Sequence, residues 1–191
     1  MEVIKIKYWF TSDYHLGHAK IIEYSERPFK NVNKMDKQII KNHNSRVKKT
    51  DTVFFLGDFC FKTGKQGNGV SALKWLKKLN GNFVFIRGNH DYGNSLNSII
   101  EYAVIHYGGQ DIYMCHRPQD YNPEYELNLV GHVHKQWKIK RDEKYGTILY
   151  NVGVDANKFH PVDIQEILGE VAKWKKTNLE KSKLNQQILK I

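Results

Sequence analysis

The chain has 191 residues, 40% hydrophobic and 13% aromatic, with a formal net charge of +10. That hydrophobic content excludes a disordered chain, and no apolar run nears the roughly 18 residues that a membrane span requires. Half of the charge excess sits in residues 171–191, which hold six Lys and one Glu, so the body is only mildly basic, and Lys outnumbers Arg by 25 to 5, which argues against nucleic-acid readout built on paired arginine contacts.

From the N-terminus, Met1 to Phe10 alternates charge and hydrophobe and lacks the apolar stretch of a signal peptide, so a cytoplasmic protein is expected. Tyr8 to Ser12 reads as a buried strand. Residues 35–49 set Ile39, Ile40 and Val47 among charges, the pattern of a surface helix. Thr52 to Leu56 is a strand ending in Gly57-Asp58. Val70, Leu73, Leu76 and Leu79 recur at a spacing of three and predict a helix over 70–79. Phe83 to Ile86 is a further strand and runs into Arg87-Gly88-Asn89-His90-Asp91.

Strand signals then follow without strong helices between them: Ala103 to Tyr107, Ile112 to Cys115, Leu127 to Val130, Gln136 to Lys140 and Ile148 to Val152. Gly108-Gly109 and Asp142 to Gly146 read as hairpin turns, and Pro118 to Tyr125 as a polar loop. Asp163 is placed to cap a C-terminal helix in which Val171, Trp174, Leu184, Ile188 and Ile191 pack back on the body. This gives one α/β domain over residues 1–170 and a basic helix over 171–191, either docked with a solvated lysine face or serving as an arm for an acidic partner.

Polar residues gather where the strands end. Asp13-Tyr14-His15, Gly57-Asp58, Gly88 to Asp91, Cys115-His116 and Gly131-His132-Val133-His134 each follow a β-branched or aromatic run, and five of the nine histidines fall in them. In open α/β sheets, sites assemble at the carboxyl ends of parallel strands. In an extended segment residues two apart point the same way, so Asp13 with His15, and His132 with His134, are each expected to share an ion. Mixed carboxylate and imidazole donors suit Mn, Fe, Zn or Ni, Mn being expected first. Asp58 has two oxygens and can bridge, and Asn89 offers a neutral carbonyl. The glycines ahead of Asp58, Asn89 and His132 allow close approach of the backbone. Taken singly, each segment also has an ordinary structural reading. Cys60 and Cys115 are too few for a disulfide framework and read as reduced thiols.

The five blocks in this order resemble the calcineurin-like metallophosphoesterase superfamily, in its small single-domain bacterial and phage form. The resemblance implies an α/β/β/α sandwich of mixed sheets with a dinuclear metal site on one edge. It would assign Asp13, His15 and His134 to one divalent ion, Asn89, His116 and His132 to a second, and Asp58 to the bridge. His90 would protonate the leaving group, with Asp91 orienting it. Likeness extends through Ser12 to Phe29, which would bring His18 and Arg27 near substrate. Arg117 either clamps a phosphoryl oxygen or pairs within its own loop.

The expected reaction is in-line hydrolysis of a phosphate ester by a hydroxide bridging two ions. A phosphodiesterase acting on nucleotide-type substrates is favoured, nucleic acid included. The alternatives are a phosphomonoesterase or protein phosphatase, or a non-catalytic interaction module on the same fold.

Overall fold

The computed structural model describes residues 6–62, 68–96 and 98–188, with side chains to 180 in the last helix. Two mixed β-sheets share one hydrophobic core. The first contains β1 (Tyr8–Thr11), β2 (Thr52–Leu56), β3 (Asn82–Ile86) and β9 (Val162–Asp163), in the order β3-β2-β1-β9. The second contains β4 (Tyr102–Tyr107), β5 (Gln110–Cys115), β6 (Leu127–Val130), β7 (Ile139–Arg141) and β8 (Ile148–Asn151), in the order β4-β5-β6-β8-β7.

β1, β2 and β3 run parallel, as do β5, β6 and β8. Each sheet therefore sends several strand ends to one edge. Phe10, Leu56 and Ile86 of the first sheet cluster with Ile112, Met114, Leu129 and Tyr150 of the second. The outer face of the first sheet is covered by α2 (Val32–Arg46) and α3 (Ala72–Leu76), through Met35, Ile39, Ala72 and Trp75 against Phe55. On the outer face of the second, Tyr113, Cys115, Val130 and Leu149 pack with Tyr121, Tyr125 and Trp137.

Local chemistry sets the element bounds. α2 begins three residues before the predicted start because the Asn31 side chain accepts the Lys34 N–H at 3.0 Å and caps the helix there. The second predicted helix is a five-residue turn, α3, which buries Ala72 and Trp75 and leaves Leu73 60% exposed. Val70, Leu76 and Leu79 of the predicted face pack inward with Trp75, so Leu73 alone of that set turns outward. The strand predicted from Gln136 begins at Ile139, where pairing to β8 starts. The short helix α1 (Ile21–Tyr24) and strand β9 had no signal in the sequence pattern.

The last helix, α4, runs from Ile164 to Ile188, across residues 170 and 171. The Asp163 carboxylate accepts the Gln165 and Glu166 N–H groups at 2.7 and 3.1 Å, and Glu166 reaches back to the Asp163 N–H at 3.2 Å. That reciprocal arrangement is a capping box. Val171 and Trp174 join the core between the sheets. Leu184, Ile188 and Ile191, also expected to pack, lie outside the described side chains. No described helix is long and apolar enough to cross a membrane.

Candidate metal centre and the groove beside it

Five loops meet at the edge where β1, β2, β3, β5 and β6 end. The loops after β1 and β2 continue to pair beyond their strands. Asp13 N donates to Gly57 O, His15 N to Asp58 O and Leu16 N to Phe59 O, at 3.0 to 3.1 Å. A parallel bridge between Ser12 and Gly153 ties the two sheets together at the same edge. The loops interlock so closely that a Cβ on Gly88 would overlap the Asp58 backbone nitrogen, and one on Gly131 would overlap Ser12 Oγ. Glycine is required at both for contact and not for turning.

The loops bring two donor sets together. Asp13, His15 and His134 each offer a ligand atom within 4.8 Å of the others, and so do Asp58, His116 and His132. Asn89 joins the second set, its Oδ1 lying 3.0 Å from His116 Nε2. Asp58 Oδ2 lies 3.5 Å from His15 Nε2 and 3.4 Å from His116 Nε2, so it stands between the sets. The backbone that achieves this is not the extended one expected from the spacing. Asp13, His15, Asp58, His132 and His134 all have positive φ, from 47 to 70°. Each is left-handed, at a cost of about 1–2 kcal/mol for a side-chain-bearing residue. Alternation about Tyr14 and Val133, not a β-pleat, turns each pair inward.

The donor chemistry fits cations. His116 Nδ1 donates to Leu56 O at 2.7 Å, which turns Nε2 toward two oxygen acceptors, Asp58 Oδ2 and Asn89 Oδ1. Acceptors facing one another repel unless a positive charge sits among them. Without metal a proton fills that place: burial alone would push the His116 ring down, but the bond to Asp58 and the charge of Asp13 raise it to about 9. His15 Nε2 is buried with no hydrogen-bond partner among the described residues, and burial holds this ring well below its ordinary value, hence neutral. For Asp58, burial pushes the carboxyl up, but the bond from His116 and the charge of that ring win and hold it below the usual carboxylate range. A buried, partnerless imidazole nitrogen beside an ionised carboxylate is a donor set suited to a divalent ion.

A supporting layer lies beneath. His134 Nδ1 bonds Asp155 Oδ2 at 2.8 Å, which aims Nε2 at the first donor set. Asp155 is held in turn by Arg27, Nε to Oδ1 and Nη2 to Oδ2, both 2.8 Å. Carboxylate-oriented imidazoles of this kind fix the tautomer and raise ligand basicity. Ser12 Oγ donates to Asp13 Oδ2 at 2.5 Å, and His132 N approaches both oxygens of the same carboxylate. Asn151 Nδ2 donates to His134 O at 2.7 Å, fixing the turn that carries the histidine.

Two expectations need correction. Arg27 does not face substrate. Its side chain is fully buried, and besides Asp155 it donates to Asp13 O at 2.7 Å and Tyr14 O at 3.0 Å. The head is saturated within the protein, so it builds the frame. Asp91 does not orient the His90 ring either. Its carboxylate accepts from the N–H groups of Asp58, Phe59 and Gly88 and from Asn94 Nδ2, at 2.8 to 3.0 Å, locking the second and third loops together.

His90 lies beside the first donor set. Its ring centroid is 5.4 Å from that of His15 and 5.9 Å from that of Phe61, while its backbone N–H donates to Asp58 Oδ1 at 2.8 Å. His18 is buried in ring contact with Phe61 at 4.4 Å and His15 at 5.5 Å. Arg117 is exposed and enters no ion pair among the described residues. It borders a groove shared with Asn89 and His116. Cys60 and Cys115 are free and buried, and burial pushes both thiols up to about 12.

Asp155, Asn151 and Ser12 escaped the sequence reading. Asn151 and Asp155 lie in and just after the strand-like run from Ile148, but nothing local marks the partner either takes.

The family model described as the calcineurin-like phosphoesterase superfamily domain matches residues 7–164, which include every one of these loops. The chain belongs to this superfamily. Membership implies a hydrolase of phosphate esters that uses divalent metal ions. An uncharacterized protein of Methanocaldococcus jannaschii is 36% identical over 176 residues, covering 88% of this chain and 93% of that protein. The Gene 66 protein of Mycobacterium phage L5 is 36% identical over 89 residues, 47% of this chain and 42% of that protein. Among solved structures, a protein of unknown function from Aquifex aeolicus aligns with a TM-score of 0.66 at 24% identity, covering 85% of this chain and 98% of that one, a likeness of fold.

Proposed function

We propose that this protein hydrolyses a phosphodiester at a centre of two divalent cations, manganese being the first to test, with nucleotide-type esters as substrates. Asp13, His15 and His134 would hold one cation, and Asn89, His116 and His132 the other, with Asp58 shared. The observation that carries the reading is Asp58 Oδ2, placed 3.5 and 3.4 Å from the Nε2 atoms of His15 and His116, one from each donor set. When bound, such a pair of cations polarises phosphoryl oxygens and acidifies water to near-neutral pKa.

The residues of the chain account for the remainder. Arg117 stands free at the rim beside His116 and can fork onto a non-bridging oxygen. His90, exposed at the mouth, can donate its imidazolium proton to the departing alkoxide oxygen. Arg27, Asp155 and Asp91 keep the loops in place and touch no substrate. The presence of all seven donors and of His90 weighs against a non-catalytic interaction module.

The test is metal content by plasma mass spectrometry, with hydrolysis of bis-p-nitrophenyl phosphate before and after chelation. Two manganese ions per chain and activity restored by manganese are expected. For Asp58→Asn, about one ion or fewer and loss of turnover are expected. Two ions retained by that variant would remove the bridge.

A further inference from the structure

A groove of 460 Å³ opens beside the second donor set. Its walls carry three tyrosines, Tyr92, Tyr102 and Tyr113, and two arginines, Arg87 and Arg117, and it reaches the centre at Asn89 and His116. Two of these rings are uncovered, unlike the core aromatics: Tyr92 is 70% exposed and Tyr102 is 61% exposed. Tyr102 stacks on Tyr113 with centroids 5.4 Å apart and planes 17° apart, so one face is backed while the ring stays largely open. The Arg87 guanidinium lies 5.3 Å from the Tyr92 ring and pairs with Glu101. Each ring thus has a neighbour across one face, Tyr113 for Tyr102 and the Arg87 guanidinium for Tyr92.

The charges narrow what fits. Glu101 and Asp120 also line the groove, so its two arginines are matched by two carboxylates. A second phosphate gains little from a neutral groove. A planar, uncharged ring system with hydroxyl or amino donors gains aromatic stacking and carboxylate acceptors together. Arg117 adjoins His116 and Arg87 has its partner, so the unpaired positive charge lies at the end nearest the centre.

We propose that this groove is a nucleoside subsite. It takes the base and sugar of one ester arm of a nucleotide diester, against Tyr102 and Tyr92, while the phosphorus lies at the metal centre and Arg117 faces it. This inference rests on the phosphoesterase reading above and assigns one ester arm of its substrate to a place in the fold.

The experiment uses the full chain loaded with manganese and two esters with the same leaving group, thymidine 5′-(p-nitrophenyl phosphate) and methyl p-nitrophenyl phosphate. The nucleoside ester is expected to have the higher kcat/KM by about tenfold or more. Tyr102→Ala and Tyr92→Ala should each cut that ratio by about fivefold or more, as loss of one base–aromatic stack predicts. Tyr102→Phe, which keeps the ring, should preserve it. Calorimetry gives a readout apart from turnover: adenosine 5′-monophosphate should bind more tightly than ribose 5-phosphate, and the alanine variants should close the gap. A wild-type ratio near one, or alanine variants that keep the preference in both measurements, overturns the subsite. If neither ester is cleaved, the phosphoesterase reading fails, and the calorimetric comparison alone decides the subsite.

Discussion

Arg27 offers the sharpest test of how the centre is held. Arg27→Met keeps most of the buried stem and deletes the charged head. The lost contacts are two bonds to Asp155 at 2.8 Å and one each to Asp13 O and Tyr14 O, at 2.7 and 3.0 Å. Both members of the ion pair are out of solvent, at 0% and 3% exposure. Removing one partner of a buried pair costs about 3–5 kcal/mol, because the other charge is left uncompensated. The two backbone carbonyls add roughly 1 kcal/mol or more each. These terms overlap, since His134 still bonds Asp155, so a loss of about 4–6 kcal/mol is expected. A domain holds only about 5–15 kcal/mol in total, so the variant should stand near the edge of folding.

The assay is urea unfolding of metal-free protein followed by circular dichroism, paired with metal affinity from a chromophoric chelator. Metal affinity should fall about 10- to 100-fold, because Asp155 no longer fixes the His134 ring. Arg27→Lys should recover part of the stability, as a point charge cannot fork onto Asp155 while reaching both carbonyls. Asp155→Asn keeps the shape of the site but leaves the Arg27 charge uncompensated, so it should show the metal defect with a loss of stability of about 3–5 kcal/mol of its own. If Arg27→Met unfolds within about 1 kcal/mol of the parent, keeps its metals and only raises KM, the framework assignment is wrong and Arg27 is a substrate clamp.

Two further outcomes follow from single residues. His43 is buried between the Tyr14 hydroxyl at 2.8 Å and Asn80 O at 2.7 Å, and burial lowers it from 6.5 to about 4. A depressed folded-state value means stability that is present above pH 6.5 and is lost as pH falls through about 4. The wild type should lose up to about 3 kcal/mol more than His43→Gln between pH 7 and 4 in metal-free urea titrations, and equal losses would refute it. His90→Ala should slow alkyl phosphodiesters by roughly 10²–10⁴ while slowing p-nitrophenyl esters far less, since nitrophenolate leaves without a proton. Equal slowing of both would remove its role as an acid.

The donor set was legible because each member lies within a few residues of the end of a hydrophobic run, a local pattern one window can show. Asp58 follows TVFFL and one glycine, and His132 follows LNLV and one glycine. The frame was not legible, for a physical reason. Arg27 and Asp155 are 128 residues apart, and nothing in either neighbourhood distinguishes a buried fork from a surface arginine. Charge made Arg27 look like a substrate group, whereas burial decides its role. Much of the fold was readable from runs such as Thr52–Leu56, which β2 reproduces residue for residue. α3 was read too long, since a spacing of three marks apolar positions without saying where the helix stops. Val70, Leu76 and Leu79 pack inward beside Trp75, while Leu73 turns outward.

The left-handed residues bear on how metal and folding are related. Five of the seven proposed donors sit at positive φ, an unfavourable choice that a flexible loop would relax. Here the strain is opposed by bonds within the protein: Gly57 O and Asp58 O accept from Asp13 and His15, while Arg27 holds the carbonyls of Asp13 and Tyr14. None of these bonds involves a metal ion. The frame should therefore exist before metal arrives, unlike small zinc domains that fold only around their ion. Metal then stabilises the chain by mass action alone, growing with the logarithm of its concentration above Kd. The supporting layer thus sets donor geometry in advance, which is why its loss should appear first in metal affinity and only then in turnover.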